Sequence, residues 1–125
     1  MYVQKYVVNA TTNASGDAVV YTPVINGRVL SIQYIKPTSG GYDDGVDFDV
    51  ATEDTAVAIW SQDDVNVSAM VAPRQPTHTS AGVAALYAAA GTGVNDFFYV
   101  ANERLKITVD AGGNVTTGQF VVLAG

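Results

Sequence analysis

One stretch limits the choice of fold more than any other. Gly45-Val46-Asp47-Phe48-Asp49-Val50 alternates apolar and acidic side chains without a break. Such alternation describes a β-strand with one dry face and one wet face. A polar turn, Glu53-Asp54-Thr55, follows, and after it an apolar run ends in the only tryptophan, Trp60. The pattern predicts a hairpin of residues 46–52 with 56–61, entered through the glycine-rich segment 40–45. The remaining strands are expected to pack on its apolar face.

The rest of the chain supplies them. Tyr2 to Val8 alternates and is rich in Tyr and Val, so it reads as a first strand, followed by turn material over Asn9 to Asp17. Ala18 to Ile25 reads as a second strand that lies at an edge or ends near Pro23, since proline cannot donate to a ladder. Asn26-Gly27 is a strong hairpin signal, because both residues tolerate positive φ. It leads into Arg28 to Lys36, where Leu30, Ile32 and Tyr34 share the inner face. Val65 to Ala72 alternates weakly, and Pro73 to Gly82 is expected to be irregular. Val83 to Ala90, rich in alanine, is the one segment that could form a helix, of two turns only, or else a strand or loop that packs small side chains. Phe97 to Ala101, Leu105 to Val109 and Gln119 to Leu123 complete the strands.

Eight or nine short strands with turns between them predict an all-β domain, an antiparallel sandwich or barrel of jelly-roll type with at most one short helix. At 125 residues the chain reads as a single domain, 1–125, with an N-terminal segment free to extend. The expected core is Val7, Val20, Leu30, Ile32, Val46, Phe48, Val50, Ile59, Trp60, Phe98, Leu105, Ile107, Val109, Phe120 and Val122.

Composition narrows the function. Only 14% of the residues are charged while 48% are apolar, against about a quarter charged in an ordinary domain. That leaves a surface poor in charge, which suits an interface with other proteins. The net charge is −6. Asp43, Asp44, Asp47, Asp49, Glu53, Asp54, Asp63 and Asp64 fall in one window without a Lys or Arg. This argues against binding nucleic acid or an anionic membrane. There is no cysteine, so thiolate chemistry and disulfides are excluded. No secretion signal and no membrane-spanning run are expected.

Catalytic groups are sparse. His78 is the only histidine, and no nucleophile turn accompanies it, so no triad is expected and no enzyme. His78 reads as a loop residue making local hydrogen bonds. Asp43, Asp44, Asp47 and Asp49 carry the hard oxygen ligands that Ca²⁺ prefers, but their spacing does not match a calcium loop. Neither a metal nor a cofactor is therefore assigned. Arg74 lies between Pro73 and Pro76, on a stiffened loop where its planar fork could meet a partner's carboxylate. The expected partner contacts are Tyr2 and Gln4 in the N-terminal segment, and Arg74, Gln75 and His78 in the proline loop.

Several stretches carry a resemblance: Tyr6-Val7-Val8-Asn9-Ala10-Thr11-Thr12, Val20 through Ile32, Gly45 through Val50, Pro73 through His78, Ala101 through Ile107, and Gly112 through Val122. Together they resemble small structural proteins of tailed-bacteriophage virions, over nearly the whole chain. The resemblance implies a capsid decoration, or cement, protein on the capsid exterior. It would be made in the host cytoplasm, bind the major capsid protein and form a homotrimer. No catalytic motif comes with it. Two other roles remain open at this point: a tail or head–tail junction component, and a β-sandwich that binds carbohydrate or a cell surface.

Overall fold

Two antiparallel sheets face each other in the computed structural model, which describes residues 2–125. Ten strands form them: β1 Gln4–Thr11, β2 Ala18–Tyr21, β3 Ile25–Ile35, β4 Val46–Thr52, β5 Ala58–Val65, β6 Ala69–Val71, β7 Arg74–Pro76, β8 Asn95–Glu103, β9 Leu105–Asp110 and β10 Thr117–Ala124. The larger sheet runs β1-β10-β3-β8-β7, with β6 also paired to β3. The smaller runs β2-β9-β4-β5. The sheets do not close into a barrel, so the molecule is an all-β sandwich. There is no helix among the described residues.

The alternating stretch at 46–50 behaves as its pattern requires. Val46, Phe48 and Val50 are buried, and Asp49 is exposed. β4 pairs with β5 on one side and β9 on the other. Leu105, Ile107 and Val109 of β9 continue the dry face. Opposite them lie Ile32 and Tyr34 of β3, and Phe120 and Val122 of β10. Rings bind the layers: Tyr34 meets Phe48 at 4.7 Å and Phe120 at 5.6 Å between centroids, and Phe48 meets Phe120 at 5.0 Å edge to face. Edge-to-face pairs add to what burial alone contributes.

Tyr42 ties the loop between β3 and β4 to this cluster. Its ring stacks on Tyr34 at 5.8 Å, and its hydroxyl donates to the Ala10 carbonyl at 2.6 Å. Burial, helped by the neighbouring Tyr34, pushes this phenol far above its usual range, so it remains a neutral donor.

Four expectations are corrected. Asn26 and Gly27 do not turn a hairpin; they lie inside β3. The chain changes sheet earlier, at 22–24, where the Thr22 amide and hydroxyl both bond to Leu105. Gly27 has φ 124°, and a side chain there would meet the Gly125 backbone at 3.1 Å. Glycine is needed for close approach, since Arg28 and Gly125 exchange backbone hydrogen bonds. Val7 is not in the core. It is 46% exposed, and Tyr6, Val8 and Ala10 point inward instead. Leu30 is only half-buried, because a bulge opposite Leu123/Ala124 shifts the phase and puts Val29 inside. Finally, part of the 73–82 segment, expected to be irregular, is strand β7; the neighbouring 83–90, whose sequence leaves helix, strand and loop open, takes no helix. Alanine propensity without an apolar stripe to bury cannot outweigh the cost of nucleating a helix.

Gly118 offers a test of the aromatic cluster. An added Cβ would lie 2.5 Å from Tyr42 Cε2 and 2.9 Å from Tyr34 Cε1. Gly118→Ala is expected to destabilise the fold by about 1–3 kcal/mol through overpacking, measured by urea unfolding. An unchanged midpoint would mean that the rings are not held where the structure places them.

Candidate interaction surface

The residues expected to contact partners do not gather at one place. Tyr2, 79% exposed, and Gln4 sit at the β1 end of the larger sheet. Arg74 and Gln75 belong to β7 at the opposite end, with three strands between. Arg74 lays its guanidinium over Phe97 at 3.9 Å and donates to the Pro73 carbonyl at 2.8 Å. Arg28 approaches the same ring at 5.1 Å. Gln75 donates to the Phe97 carbonyl at 3.0 Å. His78 is exposed and forms a backbone bridge with Ala84.

Beyond β7 the chain makes an excursion that sequence patterning did not single out as a surface. Residues 77–94 leave the sandwich as an arm and return into β8. Backbone hydrogen bonds hold the arm: Thr77 N to Val94 O at 2.9 Å, Ala85 N to Thr77 O at 2.9 Å, Val94 N to Ala85 O at 3.0 Å, and Tyr87 N to Thr92 O at 3.0 Å. The Thr77 hydroxyl adds a bond to Val94 O at 2.6 Å. The segment contains no Asp, Glu, Lys or Arg. Val83 is 63% exposed, Leu86 45% and Tyr87 77%. An ordered, uncharged arm that shows three large apolar side chains to water has the composition of an interface core. The signal for it in the sequence is the uncharged run itself, whose alanines leave helix, strand and loop all open.

The outer face of the larger sheet is similarly poor in acids. A shallow groove of about 420 Å³ crosses it between Val7, Val121 and Leu123 on one side and Met70 and Ile35 on the other. Acidic side chains dominate the other sheet. There Asp47 accepts from the Asp64 amide at 3.0 Å and Asp49 accepts from the Ser61 hydroxyl at 2.6 Å, while in the loop that leads into β4 Asp44 lies 3.5 Å from Lys36 Nζ. Each of these three carboxylates thus has its own local partner. No group of three or more metal-ligating side chains converges among the described residues.

At the corner where β8 turns into β9, Glu103 accepts from the amides of Asp54 at 2.9 Å and Thr55 at 3.2 Å. Partial desolvation works to raise this carboxyl, but the Thr55 and Asp54 amides and the nearby Thr55 and Thr52 hydroxyls outweigh it and hold it below the usual value. Arg104 pairs with Glu53 and lies over the Tyr21 ring at 4.3 Å. This corner clips the β4–β5 turn to the rest of the molecule and is structural.

No family model matches the chain, and no curated protein matches it. A solved structure of FLHE is similar over 98% of this chain and 96% of that one, with 10% identity and a TM-score of 0.45. That likeness is too loose to bear on function.

The acidic face makes a prediction about pH. Asp17 is exposed, and a hydrogen bond to Asp110, with some desolvation and the charge of Asp110, raises its carboxyl above the ordinary 3.8. The folded state therefore holds this proton more tightly than the unfolded chain does. Protonation favours the fold, and a repulsive penalty grows as pH rises from 3.8 through the raised value. Asp17→Asn is expected to raise the melting temperature at pH 7, with the gain vanishing below pH 3.8. Melts of both proteins across that range check it; a gain that persists in acid would contradict it.

Proposed function

We propose that this protein is a structural component of a tailed-phage virion, a capsid decoration protein that seats on the major capsid protein from outside and carries out no chemistry. The observation that carries the reading is the arm 77–94, ordered by its own backbone bonds, free of charge, and presenting Val83, Leu86 and Tyr87 to water. A monomer gains nothing from ordering such a segment without a core beneath it. A neighbour that covers it recovers the burial of each side chain, about 1.5–3 kcal/mol when complete. The resemblance of the chain to small virion proteins supports the choice of a protein shell as that neighbour, and the low overall charge suits a surface meant to be covered.

Purified protein mixed with heads of the encoding phage, before and after expansion, should co-sediment with one of the two forms. Leu86→Asp and Tyr87→Ser should each weaken binding at least tenfold, since losing one buried anchor costs upward of about 1.4 kcal/mol. Neither should move the melting temperature of the free protein, because both side chains are exposed. Failure to bind heads at any salt concentration would refute the proposal, and binding to isolated tails instead would place the protein at the tail.

A further inference from the structure

A sheet that does not close has edges, and natural edges are usually blunted. Counting β6, a three-residue strand beside β3, five strands have an open edge, and four of them are blunted. β2 is only four residues long and runs into Pro23. β5 carries two bulges against β4, displays Asp63 and Asp64, and holds Asp64 at φ 59°. β7 has three residues, ends on Pro76 and follows Pro73. β1 is different. It spans eight residues, pairs in unbroken register with β10 alone, and contains no proline, no glycine and no bulge. Its one charge is Lys5, in a chain of net charge −6.

The register states which of its backbone groups are open. Thr117 N donates to Gly40 O, and Gly125 exchanges both bonds with Arg28, so odd-numbered residues of β10 direct their backbone groups toward β3. Even-numbered residues of β10 then serve β1. Gln4 lies opposite Ala124 and Ala10 opposite Gly118, so β1 uses its even residues for β10. The N–H and C=O groups of Lys5, Val7 and Asn9 point away from the sheet.

We propose that this edge pairs with the same edge of a second copy, antiparallel, about a two-fold axis through Val7. Val7 exchanges both backbone bonds with the partner's Val7, and Lys5 pairs with the partner's Asn9, giving about six new bonds. The open groups thus match in parity. No like charges oppose each other, since Lys5 faces an amide. On the inner face Tyr6 lies across from the partner's Val8, a favourable aromatic and β-branched pair. On the outer face Val7 meets its copy, and Val121, one strand in on each side, extends the apolar row across the axis. A second copy fits this edge because the register about Val7 is self-complementary and sets the lone charge of β1, Lys5, against the partner's Asn9 rather than against another Lys5. The contact is isologous and closes on itself. It is two-fold, unlike the trimer that the resemblance implies, and it is independent of shell binding.

Sedimentation velocity of the full chain should give twice the 13.1 kDa mass. Val7→Pro removes an outward N–H, which an edge strand tolerates, and should weaken the dimer roughly a hundredfold. Val7→Lys, which sets like charges across the axis, should also weaken it, with the far-UV dichroism of both variants unchanged. In hydrogen exchange the amides of Lys5, Val7 and Asn9 should gain protection as concentration rises. A monomer at the highest soluble concentration, a trimer, or a dimer that both variants leave intact would overturn the pairing, whatever the capsid experiment shows.

Discussion

Everything in this molecule depends on a contact between rings. Tyr34 from the larger sheet and Phe48 from the smaller meet at the centre, with Phe120, Tyr42 and Trp60 around them. Antiparallel sheets have no covalent tie between their layers here, since the chain has no cysteine. What holds one sheet on the other is the burial of these large side chains and of the aliphatic ones beside them. Tyr42 extends the cluster into a loop and uses its hydroxyl to anchor Ala10, so a connection that could have been loose becomes part of the core.

Besides the Tyr42 hydroxyl, the polar groups at the margins of this core are managed by threonine. The buried polar side chains among the described residues are Thr12, Thr22 and Thr52. Each stands where the chain leaves a strand. Thr12 donates to Gly113 O and accepts from Thr116 N; Thr22 accepts from Leu105 N and donates to Pro23 O; Thr52 accepts from Val57 N. A threonine is small, tolerates extended backbone, and can donate and accept at once. It therefore satisfies the backbone groups that strand pairing abandons at a corner, where a bare apolar residue would leave them buried and unbonded.

The surface divides as clearly as the interior is shared. Acids gather on β4, β5 and the turns of the smaller sheet, and carry most of the net charge. The larger sheet carries Lys5, Arg28 and Arg74 against Asp96 and Glu103, together with the groove and the arm. Such a division puts the hydrated charge on one side of the molecule and leaves the other poor in acids. Both the arm and the β1 edge lie on that second side, at opposite ends of one sheet.

Much of the fold was legible from residue order. The alternation at 46–50 and 105–109 specified strands and their inner faces, because one face carries only apolar groups and the other mostly acidic or polar ones. Where both faces are apolar, order was silent: in Tyr6-Val7-Val8 the choice of which side is dry fell to β10, whose register turned Val7 out. A bulge exchanged Leu30 for Val29, and no local pattern announces a bulge. Asn26-Gly27 has the chemistry of a turn, yet it was the return of the C-terminus to within van der Waals reach that required a glycine there. The candidate surface divided in the same way. Its lack of charge was written in the composition. Its shape was not, since the arm, and the separation of Tyr2 and Gln4 from Arg74 and Gln75, arise from strand order, and strand order is set by which distant segments bury one another.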